Sequence, residues 1–130
     1  MYRAVTRGIQ VTAMPEFSPE RSSPAEGEYF FVYTIEIANL GDRTVQLTHR
    51  RWLITDGAGD TREVRGPGVV GETPTLRPGE TFRYSSGCPL ATPNGVMRGG
   101  YRMVDEDGDA FEVAIPAFSL DSPFGTRTLN

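Results

Sequence analysis

The stretch Arg65-Gly66-Pro67-Gly68-Val69-Val70-Gly71-Glu72-Thr73-Pro74-Thr75-Leu76-Arg77-Pro78-Gly79-Glu80 decides how this 130-residue chain is read. Gly66, Gly68 and Gly71 fit the spacing G-x-G-x-x-G. In a dinucleotide-binding fold that spacing works because the loop leaves a strand and enters a helix whose free N–H groups meet a pyrophosphate. Here Pro74 and Pro78 follow instead, and a helix interior does not tolerate them. Arg77-Pro78-Gly79-Glu80 reads as a type II turn, with Pro setting φ and Gly taking φ > 0. The stretch is a glycine-rich connection between strands, and a helix-covered parallel sheet is excluded.

Outward from it, the chain breaks into short segments of period two, the mark of a half-buried strand. Upstream, Thr61 to Arg65 is a return strand behind the hairpin turn Asp56-Gly57-Ala58-Gly59-Asp60. Before that turn, Val45, Leu47, His49, Arg51 and Leu53 would share one face of a regular strand, with Trp52 and Ile54 on the other. The apolar phase slips between Leu47 and Trp52, which predicts a bulge near His49-Arg50-Arg51. Tyr29 to Ala38 is aromatic and β-branched on both faces, as in a central strand buried on both sides. Val5 to Met14 reads as one strand, and Pro15 to Glu28 as an acidic, Pro/Ser-rich loop.

Downstream, Thr81 to Ser85 and Gly95 to Val104 alternate as strands, and Asp105-Glu106-Asp107-Gly108-Asp109 forms a hairpin turn. Phe111, Val113 and Ile115 alternate until Pro116, which has no N–H and should end the pairing. The tail 119–130 should be less ordered. About seven or eight strands at this turn spacing predict an all-β sandwich of two antiparallel sheets, folding as one domain over 1–130.

Composition excludes several functions. All 13 basic residues are Arg, so neither a Walker-type Lys nor a Schiff-base amine is present. One Cys, Cys88, permits no internal disulfide, and with His49 as the single His no Cys₂His₂ or three-His zinc site can form. A net charge of −4 argues against a nucleic-acid binder. Neither a signal peptide nor an apolar run long enough for a membrane span is visible, so a cytoplasmic protein with no membrane insertion is expected.

The candidate sites each have a plain alternative. Gly66, Gly68 and Gly71 could offer bare amides to an anion, with Arg62 and Arg65 neutralising its charge; the plain reading is a connection between sheets. His49-Arg50-Arg51-Trp52 holds an Arg pair and a stacking surface, or a core Trp with solvated arginines. Cys88 with His49 makes a nucleophile pair only if the fold joins them. Asp105 and Asp107 start like a calcium loop, but Ala110 and Pro116 break the pattern and leave a weak hydrated cation site at most. Tyr29, Phe31, Tyr33, Phe82, Tyr84 and Tyr101 fill sheet faces, with a few left to line a partner surface.

Val45-Gln46-Leu47, Arg51-Trp52-Leu53-Ile54-Thr55-Asp56, Val64-Arg65-Gly66-Pro67-Gly68-Val69-Val70-Gly71, Pro78-Gly79-Glu80, Tyr84-Ser85-Ser86-Gly87, Gly95-Val96-Met97 and Ile115-Pro116-Ala117-Phe118 stand in the order seen in the ApaG family. The chain resembles a bacterial stand-alone ApaG protein over nearly its whole length. The resemblance implies a fibronectin type III-like β-sandwich, no established catalysis, protein–protein interaction, and an association with cobalt resistance and magnesium efflux. It carries the glycine motif onto Gly66, Gly68 and Gly71 as a pyrophosphate- or nucleotide-binding idea, and it brings no metal ligands and no cofactor.

The combined expectation is a non-enzymatic module with an unidentified protein partner. A phosphate-containing small molecule at Gly66–Gly71 with Arg62 and Arg65 is the first alternative, and weak direct binding of a divalent cation the second. Edge strands of a sandwich also allow a homodimer.

Overall fold

A computed structural model of the chain describes residues 1–125. Nine strands run in the order β1 (Tyr2–Thr6), β2 (Ile9–Phe17), β3 (Tyr29–Asn39), β4 (Val45–Asp56), β5 (Thr61–Pro67), β6 (Thr75–Leu76), β7 (Thr81–Leu90), β8 (Asn94–Asp105) and β9 (Ala110–Asp121). Two 3₁₀ turns, Pro19–Arg21 and Pro24–Glu26, interrupt the acidic loop. The strands pair antiparallel in two sheets, β1-β2-β3-β7 and β5-β4-β8-β9, with the short β6 alongside β4. This is the expected immunoglobulin-like, fibronectin type III-like sandwich.

The inner faces close on one apolar layer. Phe31, Ile35 and Ile37 of β3 and Ile9 and Val11 of β2 face Leu47, Trp52, Tyr101 and Phe118 of the second sheet. Trp52 is the core tryptophan, edge-on to Phe118 at 5.9 Å and to Tyr33 at 5.2 Å between ring centroids. The Tyr84 and Tyr101 hydroxyls hydrogen-bond across the layer at 2.5 Å, so two buried phenols satisfy one another and tie β7 to β8.

Several expectations need correction. The Val5–Met14 segment is two strands: Arg7 (φ 48°) and Gly8 (φ 80°) form a primed turn that pairs Thr6 with Ile9. β3 lies centrally between β2 and β7, yet only its inner face is fully buried. Phe30, on the outer face, lies against Gly87, where a Cβ would sit 2.4 Å from the ring. β7 runs past Ser85 to Leu90, because an edge strand accepts Pro89 without losing a ladder bond. β9 likewise runs through Pro116 to Asp121, taking in 119–121 of the tail. Pro116 and Ala117 together oppose Arg98, so the proline occupies a bulge where no N–H is required. The tail beyond residue 125 lies outside the described residues.

The bulge expected near His49 lies one residue earlier, at Thr48, where the β4–β8 register shifts between Leu47 and His49. Leu47 before it and Trp52 after it both point inward, while His49 and Arg51 are exposed. A single extra residue thus turns the charged half of β4 toward the outer face.

Candidate functional site

Each glycine of the G-x-G-x-x-G stretch has a local reason to be glycine. Gly66 pairs with Arg50, and a Cβ there would stand 2.9 Å from both terminal guanidinium nitrogens of Arg50. Arg50 lies across it and donates to the carbonyls of Pro67 (2.9 Å) and Gly68 (3.0 Å). Gly68 has φ 60°, and a Cβ there would fall 2.2 Å from the Glu72 carbonyl oxygen. Val69 and Glu72 exchange backbone hydrogen bonds of 2.8 and 2.9 Å around Val70 (φ 43°) and Gly71 (φ 80°), another primed turn. Gly68 N–H also donates to Thr48 at 2.8 Å, so the amides of Gly68, Val69 and Glu72 are engaged by the chain itself.

The two arginines assigned to that loop do not meet. Positions 62 and 65 differ by an odd number along a strand, so their side chains leave on opposite faces. Arg62 turns toward the other sheet and donates to the Pro89 carbonyl at 2.9 Å. Arg65 stays on the outer face, where its Nε donates to Glu63 at 2.8 Å. Arg51, directly across from Arg65, donates from its own Nε to the same Glu63 oxygen at 2.5 Å. One carboxylate oxygen thus holds two guanidiniums by their inner nitrogens. The two arginines in turn hold the Glu63 carboxyl below the usual carboxylate range.

The pairing register of β5, β4, β8 and β9 sets out the outer face. One row reads Arg65, Arg51, Gly100, Ala114, and the next reads Pro67, His49, Arg102, Glu112. A third row brings Glu63, Leu53 and Arg98 together. Gly100 sits at the crossing, opposite Arg51 and between Arg98 and Arg102 on its own strand. Same-face neighbours lie about 5 Å apart across strands and about 7 Å along them, so a missing side chain at that node leaves a dimple bordered by Arg51, Arg98 and Arg102 on three sides and by Ala114 and Glu112 on the fourth.

Two hollows meet there. The first, about 460 Å³, is lined by His49, Arg50, Arg51, Arg65, Gly66, Gly100, Arg102 and Glu112. The second, about 490 Å³, shares Arg51, Gly100 and Glu112 and adds Arg98 with the aliphatic Leu53, Ala114 and Ala117. Four arginines, Arg51, Arg65, Arg98 and Arg102, thus gather with Glu63 and Glu112 on one face of a chain whose net charge is −4, while Arg50 reaches the first hollow from the inner side of β4. Among the described residues, neither Arg98 nor Arg102 makes an ion pair. His49 Nδ1 lies 3.0 Å from Thr48 Oγ1, and the residue lines the first hollow.

The other candidates separate. His49 is on the outer face, whereas Cys88 is buried in β7 beside Arg62, and burial pushes its thiol up. Asp105 Oδ1 accepts the amides of Asp107 (2.9 Å) and Asp109 (3.0 Å), and its other oxygen faces Arg7 at 3.9 Å. Asp107 pairs with Arg43. These carboxylates serve the turn, and among the described residues no three His, Cys, Asp or Glu side chains are grouped as metal ligands. Phe31, Tyr33, Tyr84 and Tyr101 are core, while Tyr29 and Phe82 pack against its margin.

Arg98, Gly99, Gly100 and Arg102 went unmarked in the sequence reading. Their signal was present in Met97-Arg98-Gly99-Gly100-Tyr101-Arg102, where two arginines flank a glycine at period two. Its meaning depended on which strand lies beside it.

The profile of the ApaG domain family matches residues 19–105. The chain is 62% identical to Protein ApaG of Beijerinckia indica subsp. indica over 130 residues, covering all of both chains. It is equally 62% identical, end to end over 130 residues, to Protein ApaG of Methylocella silvestris. Among solved structures, the putative ApaA protein from Bordetella pertussis superposes with a TM-score of 0.86 at 48% identity, covering 95% of this chain and 97% of that one. The C-terminal domain of wzt shares the fold at a TM-score of 0.59 and 10% identity, covering 99% of this chain and 81% of that one. With the family profile matching residues 19–105, 62% identity end to end and a shared sandwich at a TM-score of 0.86, the chain belongs to the ApaG family.

Proposed function

We propose that this protein is a non-enzymatic binding module that docks an acidic segment of a protein partner on the outer face of the β5-β4-β8-β9 sheet. The observation that carries it is the collection of Arg51, Arg98 and Arg102 around Gly100, with Arg65 beyond Arg51, on a chain of net charge −4. A cationic face on an otherwise anionic body selects an anionic surface and orients it on approach, while the remainder repels other polyanions. The three buried phenols and the buried thiol face the core rather than a cleft, and the one His stands apart from them, so among the described residues these groups form no nucleophile–base pair, which supports the non-enzymatic reading. We assign the module to the cytoplasm and to cobalt and magnesium homeostasis. That assignment rests on the family resemblance, and the carboxylates at Asp105 and Asp107 being held by the chain supports an indirect route through the partner.

Site-specific photo-crosslinking tests the reading. A crosslinker at Val104, on the rim of the basic face, should trap a discrete partner from lysate of the source cell. One at Thr34, on the outer face of the other sheet, should trap none. Arg98→Glu with Arg102→Glu should abolish the Val104 adduct. Trapping from Thr34 alone, or an adduct indifferent to the charge reversal, overturns the proposal.

A further inference from the structure

The two hollows that meet at Gly100 differ in chemistry, and the difference specifies a ligand. The first is walled by guanidiniums, an imidazole and the Glu112 carboxylate, while the second is lined by Leu53, Ala114 and Ala117 together with Arg98 and the same Glu112. We propose that the dimple over Gly100 is a subsite for one phosphate monoester carried on a peptide, whose adjoining aliphatic side chain lies in the second hollow. This rests on the docking reading above and names what is docked.

The number of donors favours phosphate over a plain carboxylate. A carboxylate is satisfied by one guanidinium fork, and Glu63 already fills that part for Arg51 and Arg65. Because Glu63 takes only the Nε atoms, the terminal nitrogens of both arginines have no hydrogen bond to a side chain among the described residues and can serve a second anion. Arg98 and Arg102 stand two residues to either side of Gly100 on the same face and carry no ion pair among the described residues. Three guanidiniums around one missing side chain match three terminal oxygens and nearly two negative charges better than two oxygens and one.

The space favours a peptide over free phosphate. Hollows of about 460 and 490 Å³ fall in the range that holds a ligand far larger than one phosphate group. Aliphatic lining beside the cations adds nothing for an inorganic ion, but it shields an apolar side chain next to a phosphorylated one. The depth is supplied by Gly100 itself, since any Cβ there would rise from the floor of the dimple within 3.4 Å of Glu112 Oε1.

The test is an amide-resolved NMR titration of the whole chain with four probes: inorganic phosphate, a phosphoserine-leucine hexapeptide, the same peptide with Glu for phosphoserine, and the phosphopeptide with Ser for Leu. Inorganic phosphate should shift Gly99, Gly100 and Arg102 amides weakly, and the phosphoserine-leucine peptide should bind at least about tenfold tighter, extending the shifts to Ala114. The Glu peptide and the leucine-free peptide should each lose about tenfold. Arg98→Ala and Arg102→Ala, both on exposed side chains that leave folding intact, should each weaken the phosphopeptide by about tenfold, and Arg83→Ala on the other sheet should not. Equal affinity for the Glu and phosphoserine peptides overturns the phosphate subsite. Equal affinity for inorganic phosphate and phosphopeptide overturns the peptide source. Absence of shifts at Gly100, with the Val104 crosslink still lost on charge reversal, overturns this inference alone and leaves the docking reading standing.

Discussion

Two glycine clusters flank β4, one on β5 and the loop after it and one on β8, and do opposite things. In the first, Gly66, Gly68 and Gly71 are consumed by the backbone: they admit Arg50, clear the Glu72 carbonyl and complete a primed turn. In the second, Gly99 and Gly100 split the work. Gly99 lets β8 approach β4, where a Cβ would lie 2.0 Å from the Arg51 carbonyl oxygen, and Gly100 opens the outer face. The cluster that looks like a phosphate loop has the amides of Gly68, Val69 and Glu72 engaged by the chain, while the pair without a motif leaves room beside Arg98 and Arg102, which make no ion pair among the described residues. A spacing motif is informative only when its context frees the N–H groups that the chemistry needs.

The contrast predicts a ranked set of effects. Gly99→Ala should be the worst, losing about 3 kcal/mol or failing to fold, because the strand pairing itself must give way. Gly68→Ala should be nearly as severe, from the Glu72 overlap and the left-handed φ together. Chemical denaturation would show both, and a mild Gly99→Ala would break the distinction between the two clusters.

Next comes Tyr84→Phe, which strands the Tyr101 hydroxyl in the core and should cost about 1–3 kcal/mol. Burial raises the pKa of Tyr33, Tyr84 and Tyr101, so their ionisation favours the unfolded chain. The sign follows directly: the stabilising effect is complete below the ordinary phenol value near 10 and falls away as pH rises above it. Absorbance at alkaline pH should therefore show these three phenols ionising only as near-ultraviolet circular dichroism is lost.

Val70→Asn should stabilise by about 1 kcal/mol. Val70 is exposed with φ 43°, a conformation costly for a β-branched side chain and tolerable for Asn. A rise in Tm with unchanged Gly100 amide shifts would show the loop strain to be independent of the basic face. The smallest effect should be Arg83→Ala, which removes an exposed pair with Glu36 at 3.2 Å and changes stability by less than about 0.5 kcal/mol.

Much of the sandwich was legible because period two is written by burial: Phe31, Tyr33, Ile35 and Ile37 alternate inward and show it in the string. The Asp56–Asp60 and Asp105–Asp109 turns were legible for a different reason, since each Asp side chain bonds its own turn amides and each fourth residue is a Gly at φ near 90°. The primed turn at Arg7-Gly8 was missed because Arg does not advertise a positive φ. Pro116 misled because its penalty depends on whether a partner strand asks for its N–H, and the bulge opposite Arg98 means that none does. Of the two arginines read with the glycine loop, Arg65 lies on the outer face and Arg62 turns toward the other sheet, a separation already set by their odd spacing along β5.

By itself the sequence determined which residues face the core, where most turns fall, that lysine and multi-ligand zinc chemistry are excluded, and that no helix can follow the glycine loop. Those properties are local: they follow from side-chain period, from φ preference and from residue inventory. Only the tertiary structure decided that Arg51, Arg98 and Arg102 surround Gly100, and that one extra residue at Thr48 turns His49 and Arg51 outward. Cross-strand register is a relation between distant segments, set by the packing of both sheets, and the cationic dimple exists nowhere in the chain until that register is established.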